Sequence, residues 1–119
     1  MPIRSRNALL VDDDALVRGV LADMLAELGF QVTEAGTPDD ALSMVGRLRG
    51  LDLLITDILM PGMDGWTLAE QVRVTHPDLP IMYITGYSAD ADRPVERARV
   101  VRKPFTQRTL VDALTDLLL

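Results

Sequence analysis

At 119 residues and 48% hydrophobic content, the chain carries apolar material for one core, so a single domain over 1–119 is expected. A formal charge of −6 with scattered lysines and arginines argues against nucleic acid or an anionic membrane as a direct partner. There is no cysteine and His76 is the single histidine, which excludes disulfides, thiolate metal sites and histidine-rich zinc sites. No stretch approaches the roughly 18 apolar residues of a membrane span, and Met1-Pro2-Ile3-Arg4-Ser5-Arg6 leads into no apolar leader segment, so a cytoplasmic protein without membrane insertion is expected.

Asn7 to Val11 reads as a buried strand and runs directly into Asp12-Asp13-Asp14. Leu16, Val17, Val20, Leu21, Met24, Leu25 and Leu28 then recur with helical period, with Asp14 placed to cap the helix and Gly29 to stop it. Capping leaves Asp12 and Asp13 unexplained. Adjacent carboxylates repel, and a fold that gathers them at a strand end offsets the cost with a cation or a lysine. Phe30 to Ala35 alternates loosely and predicts a more exposed strand. Thr37-Pro38 is a helix start, with Ala41, Leu42, Val45 and Leu48 inward and Gly50 as the stop.

Leu53-Leu54-Ile55-Thr56-Asp57 is an apolar run that ends on a carboxylate, and Pro61-Gly62 closes the segment after it. Such a run fits a strand covered on both faces, and the carboxyl end of a strand in an open α/β sheet is where ligands bind. Asp64 caps the next helix, with Leu68, Ala69 and Val72 inward; Trp66 reads as packing and His76-Pro77-Asp78 as a surface connection. Ile81 to Ile84 delivers Thr85 to the same rim, and Val100-Val101-Arg102 delivers Lys103. Between them, Ser88 to Arg99 holds Pro94 and few apolar residues, which predicts a helix that is short, bent or partly disordered. Thr106 caps a closing helix with Leu110, Ala113, Leu114 and Leu117 inward.

The alternation of strand and helix implies a doubly wound α/β fold with right-handed crossovers. In a five-stranded parallel sheet of order 2-1-3-4-5, the first, third, fourth and fifth strands end side by side. Asp12, Asp13, Asp57, Thr85 and Lys103 then converge. Carboxylates without sulfur or imidazole suit a hard cation such as Mg²⁺, a lysine and a threonine suit phosphoryl oxygens, and an aspartate can become an aspartyl phosphate.

Over essentially the whole chain the sequence resembles the receiver domains of bacterial two-component response regulators. The matching segments are Leu9-Leu10-Val11-Asp12-Asp13-Asp14, Asp57-Ile58-Leu59-Met60-Pro61-Gly62-Met63-Asp64-Gly65, Thr85-Gly86 and Lys103-Pro104-Phe105. The resemblance implies a flavodoxin-like (βα)5 fold and phosphoryl transfer to Asp57 from a histidine kinase or phosphotransfer protein. It implies Mg²⁺ held by Asp12, Asp13, Asp57 and the Leu59 carbonyl, with Thr85 and Lys103 on the phosphoryl group and a cis peptide before Pro104. It implies no enzyme beyond self-phosphorylation from phosphodonors and autodephosphorylation, and an output through changed contacts with an unidentified downstream protein, or a phosphate sink.

Three features depart from the family pattern. Val100 stands where the family places a switch aromatic. Gly86 follows Thr85 where alanine is common, and the resulting Thr85-Gly86-Tyr87 resembles hybrid-kinase and some stand-alone receivers, which makes Tyr87 a switch candidate. The proline-bearing segment before the fifth strand weakens the case for dimerisation through that face. Two other functions compete. A haloacid-dehalogenase-type phosphatase shares the Asp12-Asp13-Asp14 opening but expects Thr or Val where Leu16 stands. A phosphorylation-independent interaction module would be favoured by loss of a rim residue, and each is present.

Overall fold

The computed structural model describes residues 6–48, 50–86 and 96–118. Five parallel strands, β1 (Arg6–Val11), β2 (Phe30–Ala35), β3 (Leu51–Asp57), β4 (Ile81–Thr85) and β5 (Ala98–Arg102), lie in the order β2-β1-β3-β4-β5. The described helices are α1 (Ala15–Glu27), α2 (Pro38–Val45), α3 (Gly65–Thr75) and α4 (Gln107–Leu118). The apolar runs of β1, β3 and β4 are buried because they lie inside the sheet with helices on both faces, whereas β2 sits at an edge and is half-exposed. One core packs Leu9, Leu54 and Ile81 against α2 and α3 through Ala41, Val45, Leu68 and Val72. The opposite core packs Leu10, Ile55 and Met82 against α1 and α4 through Leu21, Leu25, Leu110 and Leu114.

Side-chain caps start each described helix where the sequence places them. Asp14 Oδ1 accepts the Leu16 and Val17 amides at 3.0 and 3.3 Å, and Thr37 Oγ1 accepts Asp40 N–H at 3.0 Å. Asp64 Oδ1 accepts Thr67 N–H at 2.8 Å, and Thr106 Oγ1 accepts Thr109 N–H at 3.1 Å. Trp66 is core, its ring centroid 4.1 Å from that of Tyr83.

Three details correct the sequence reading. On α1 the inward residues are Leu21, Ala22 and Leu25, while Leu16 is 84% and Val20 60% exposed and Leu28 sits at the exposed margin. At 100° per residue Leu16 and Val20 lie about 175° and 145° from the centre of the buried face, so the apolar residues span more of the helix than the sheet covers. The second helix ends at Gly46 rather than Gly50, because glycine at this point gives up helix propensity; Leu48 still packs on the core through a further turn, and Gly50, at φ +69°, reverses the chain into β3. Ala98 and Arg99, read as part of the proline-bearing connection, belong to β5. Residues 88–95 of that connection, and Tyr87 before it, lie outside the described residues.

Register aligns the rim. Asn7 pairs with Leu51 but Ala8 pairs with Leu53, so Asp52 is an extra residue on β3; its carboxylate accepts the Asn7 amide at 2.8 Å. The shift sets Val11 opposite Thr56, which makes Asp12 and Asp57 neighbours one step further on. Asp57 is opposite Ile84, and Thr85 is opposite Arg102, so Thr85 and Lys103 follow in the same row.

Candidate functional site

Asp12 is buried at the end of β1 and nearly every polar atom on it is engaged. Its N–H donates to the Ala35 carbonyl at 3.2 Å, its Oδ1 accepts Asp14 N–H at 2.9 Å, and its carbonyl accepts Arg18 Nη1 at 2.7 Å. Oδ2 is buried and has no hydrogen-bond partner among the described residues. Asp57 is held comparably on β3. Its Oδ1 accepts Leu59 N–H at 3.3 Å, and its carbonyl accepts the Thr56 hydroxyl at 2.9 Å. Lys103 Nζ lies between the two carboxylates, 3.4 Å from Asp57 Oδ2 and 3.5 Å from Asp12 Oδ2. The lysine is fixed through its own backbone, because its N–H donates to the Thr85 carbonyl at 2.7 Å; the peptide to Pro104 is cis.

Asp13 is exposed, yet its carboxylate and those of Asp12 and Asp57 each offer an oxygen within 4.8 Å of the others. Two ionised carboxylates at that separation repel by about 3.5 kcal/mol at an effective dielectric of 20. One ammonium against three carboxylates leaves the cluster with a formal excess of negative charge. Burial pushes the Asp12 carboxyl above the ordinary carboxylate range; the Asp14 N–H and the Lys103 ammonium oppose the rise, and the Asp57 and Asp13 charges add to it. The donors are all oxygen, and Asp12 Oδ2 is a buried acceptor that no hydrogen bond among the described residues occupies, so the residues present fit a hard divalent cation.

Thr85 is fully buried at the end of β4. Val100 lies deeper, opposite Tyr83 and packed on the core beneath α3, so it does not line the rim. A Cβ at Gly86 would come no nearer than 3.8 Å to Lys103 Cδ, an ordinary contact, so the site does not demand glycine there.

The family profile of the response regulator receiver domain matches residues 8–115. The chain belongs to this family. It is 39% identical over 121 residues to the response regulator receiver protein CpdR of Brucella abortus, covering 96% of this chain and 98% of CpdR. It is 34% identical over 119 residues to the sensor kinase CckA of the same organism, where 96% of this chain corresponds to 13% of the kinase. A crystal structure of a response regulator receiver protein from Sinorhizobium medicae superposes with a TM-score of 0.87 at 32% identity, covering 97% of this chain and 95% of that one.

In this receiver the structure brings Asp12, Asp13, Asp57 and Lys103 into one cluster and sets Thr85 beside them in the strand row. Two supporting residues were given no role by the sequence reading, which placed Gly65 only at the end of a matching segment. Gly65 opens α3 directly against the end of β3: its N–H donates to the Ile58 carbonyl at 2.8 Å, and a Cβ there would stand 2.2 Å from the Asp57 carbonyl oxygen. A glycine directly after a capping aspartate, where better helix formers abound, was the available signal. Arg18 was the other, a cation one turn into α1 on the flank facing Asp12.

The Asp12 shift has a sign that can be measured in the metal-free protein. The folded chain holds this proton more tightly than the unfolded chain, so the associated stability is full below the unfolded value of about 3.9 and is lost as pH rises through the raised folded value. Asp12→Asn is expected to flatten that falling part of the stability curve in urea melts with EDTA. An unchanged slope would place the pH dependence elsewhere.

Proposed function

We propose that this receiver accepts a phosphoryl group on Asp57 from a histidine kinase or phosphotransfer protein and passes the signal on through altered protein contacts. The observation that carries the reading is the buried Asp57 carboxylate 3.4 Å from Lys103 Nζ, inside a carboxylate cluster within 4.8 Å. An Asp57 carboxylate oxygen attacks phosphorus, the bond from phosphorus to the donor's imidazole nitrogen breaks, and the released imidazole keeps that electron pair. Lys103 offsets charge on the phosphoryl oxygens and the Thr85 hydroxyl donates to one of them. Asp12, Asp13, Asp57 and the Leu59 carbonyl would hold Mg²⁺, which when bound supplies charge neutralisation for a phosphoryl group. Added negative charge at the rim then biases the neighbouring segment, where Tyr87 stands as the switch aromatic in place of Val100. No enzymatic activity beyond self-phosphorylation and autodephosphorylation is assigned. No described helix is long and apolar enough to cross a membrane.

Intact-mass analysis after incubation with acetyl phosphate, with Mg²⁺ and with EDTA, tests the reading. The expected result is a Mg²⁺-dependent gain of one phosphoryl group, accompanied by binding of the phosphoryl mimic beryllofluoride seen in fluorine NMR. Failure of both would overturn it. A narrower prediction concerns Asp13, which is exposed and contributes charge to the cluster without packing. Asp13→Asn is expected to weaken Mg²⁺ binding at least about tenfold by calorimetry, as loss of a metal-site partner does. Its thermal midpoint in EDTA is expected to equal or exceed that of the parent, since one repulsion is relieved.

A further inference from the structure

Asp12 can present Oδ2 to a cation only if its main chain stays where it is, and one side chain holds that main chain. Arg18 Nη1 donates to the Asp12 carbonyl at 2.7 Å. Its Nε donates to Glu34 Oε1 on β2 at 3.2 Å, and the arginine side chain is 21% exposed against 44% for the glutamate. Both bonds come from a single planar fork that points in two directions, which a lysine ammonium on its flexible stem does not reproduce. The placement follows from the helix: Arg18 lies one turn into α1, its N–H bonded to the Asp14 carbonyl, and side chains on a helix lean toward the N-terminus, here toward Asp12.

We propose that Arg18 is a positioning residue for the divalent-cation site, that it fixes the Asp12 backbone so that Oδ2 stays aimed into the carboxylate cluster, and that Glu34 orients it. This rests on the reading that Asp12, Asp13 and Asp57 hold Mg²⁺. Electrostatics and geometry make opposite demands here, which gives the idea a sign. Arg18 is a cation beside a cation site, so as a charge alone its removal would tighten Mg²⁺ binding. As a positioning group its removal loosens binding, by the about 10- to 100-fold typical of partners that orient metal ligands.

The test is calorimetric titration of Mg²⁺ into the parent, Arg18→Gln, Arg18→Lys and Glu34→Gln, with urea stability of each measured in EDTA. Arg18→Gln and Arg18→Lys are both expected to bind at least about tenfold more weakly, because lysine keeps the charge and loses the fork; Glu34→Gln, which leaves the Asp12 contact in place, is expected to fall between them and the parent. Folded variants that bind Mg²⁺ as tightly as the parent or more tightly would overturn the positioning role, whatever their urea stability. Full rescue by lysine would overturn it too, since the two-way guanidinium fork would then not be what holds the Asp12 backbone. Absence of Mg²⁺ binding in the parent would remove the cation site itself, and this outcome is distinct because no variant is needed to see it.

Discussion

Asp57→Asn is expected to take up no phosphoryl group from acetyl phosphate under conditions that mark the parent, while its fold persists. An amide oxygen shares its lone pair with nitrogen and is no match for a carboxylate as a nucleophile toward phosphorus. The structural cost of the substitution is small for identifiable reasons. Asparagine is nearly isosteric and keeps an oxygen in place for Leu59 N–H, now at 3.3 Å from Asp57 Oδ1. Lys103 retains Asp12 Oδ2 at 3.5 Å, so its half-buried ammonium is not stranded. Loss of the Lys103 pair and relief of repulsion from Asp12 act in opposite directions, and the thermal midpoint should stay within about 4 °C, the shift expected of about 1 kcal/mol in a domain of this size. The substitution also removes a carboxylate from the cation site, so the assay belongs at Mg²⁺ well above the variant's own dissociation constant. Borohydride reduction of the phosphorylated parent and peptide mapping complete the test. A label on Asp12, Asp13 or any other residue, or phosphorylation of the Asp57→Asn variant, would remove Asp57 from its role.

Why Asp57, Asp12 and Lys103 were legible before any coordinates is a matter of strand physics. Each follows an apolar run that a parallel sheet must bury, and parallel register leaves the residue after such a run at a common rim. The caps were legible for a similar reason, since Asp14, Thr37, Asp64 and Thr106 satisfy amides only a few residues away. What resisted reading depends on neighbours distant in sequence. Periodicity marks Leu16 and Val20 as apolar but cannot say how much of the α1 circumference the sheet covers, and both prove exposed. The Asp52 bulge sets the β1–β3 register through a contact with Asn7 that no local pattern announces. Arg18 and Gly65 matter because of backbone carbonyls, of Asp12 and of Asp57, and a carbonyl carries no residue identity for a sequence motif to display. The recognisable part is thus made of polar side chains gathered at the strand ends, and the unassigned part of side chains, or their absence, that hold the backbone beneath them.

Gly65→Ala is expected to be the most damaging single-methyl change in this receiver. Two effects compete at the position. Alanine in place of glycine at a helix start gains at most about 1 kcal/mol of helix propensity. Against that, the new Cβ would stand 2.2 Å from the Asp57 carbonyl oxygen, 3.0 Å from Ile58 Cα and 3.1 Å from the Asp57 carbonyl carbon. All three neighbours are backbone atoms of the strand end, held by the Ile58 amide on the Ile84 carbonyl and by the Thr56 hydroxyl on the Asp57 carbonyl, so none can swing aside as a flexible side chain would. Relief requires the start of α3 or the end of β3 to shift. Overpacking of this kind costs about 3 kcal/mol, which exceeds the propensity gain. The net loss of about 2 kcal/mol corresponds to a thermal midpoint lower by roughly 8 °C. Displacement of the Asp57 backbone also moves its carboxylate, the proposed phosphoryl acceptor, relative to Lys103, and a misplacement of about 1 Å can slow a positioned reaction on the order of a hundredfold. The decisive comparison is therefore the phosphorylation rate of Gly65→Ala measured well below its melting transition. A folded variant with the parent's rate and midpoint would show that α3 yields and leaves Asp57 in place, and the close approach at Gly65 would then have no part in holding the site.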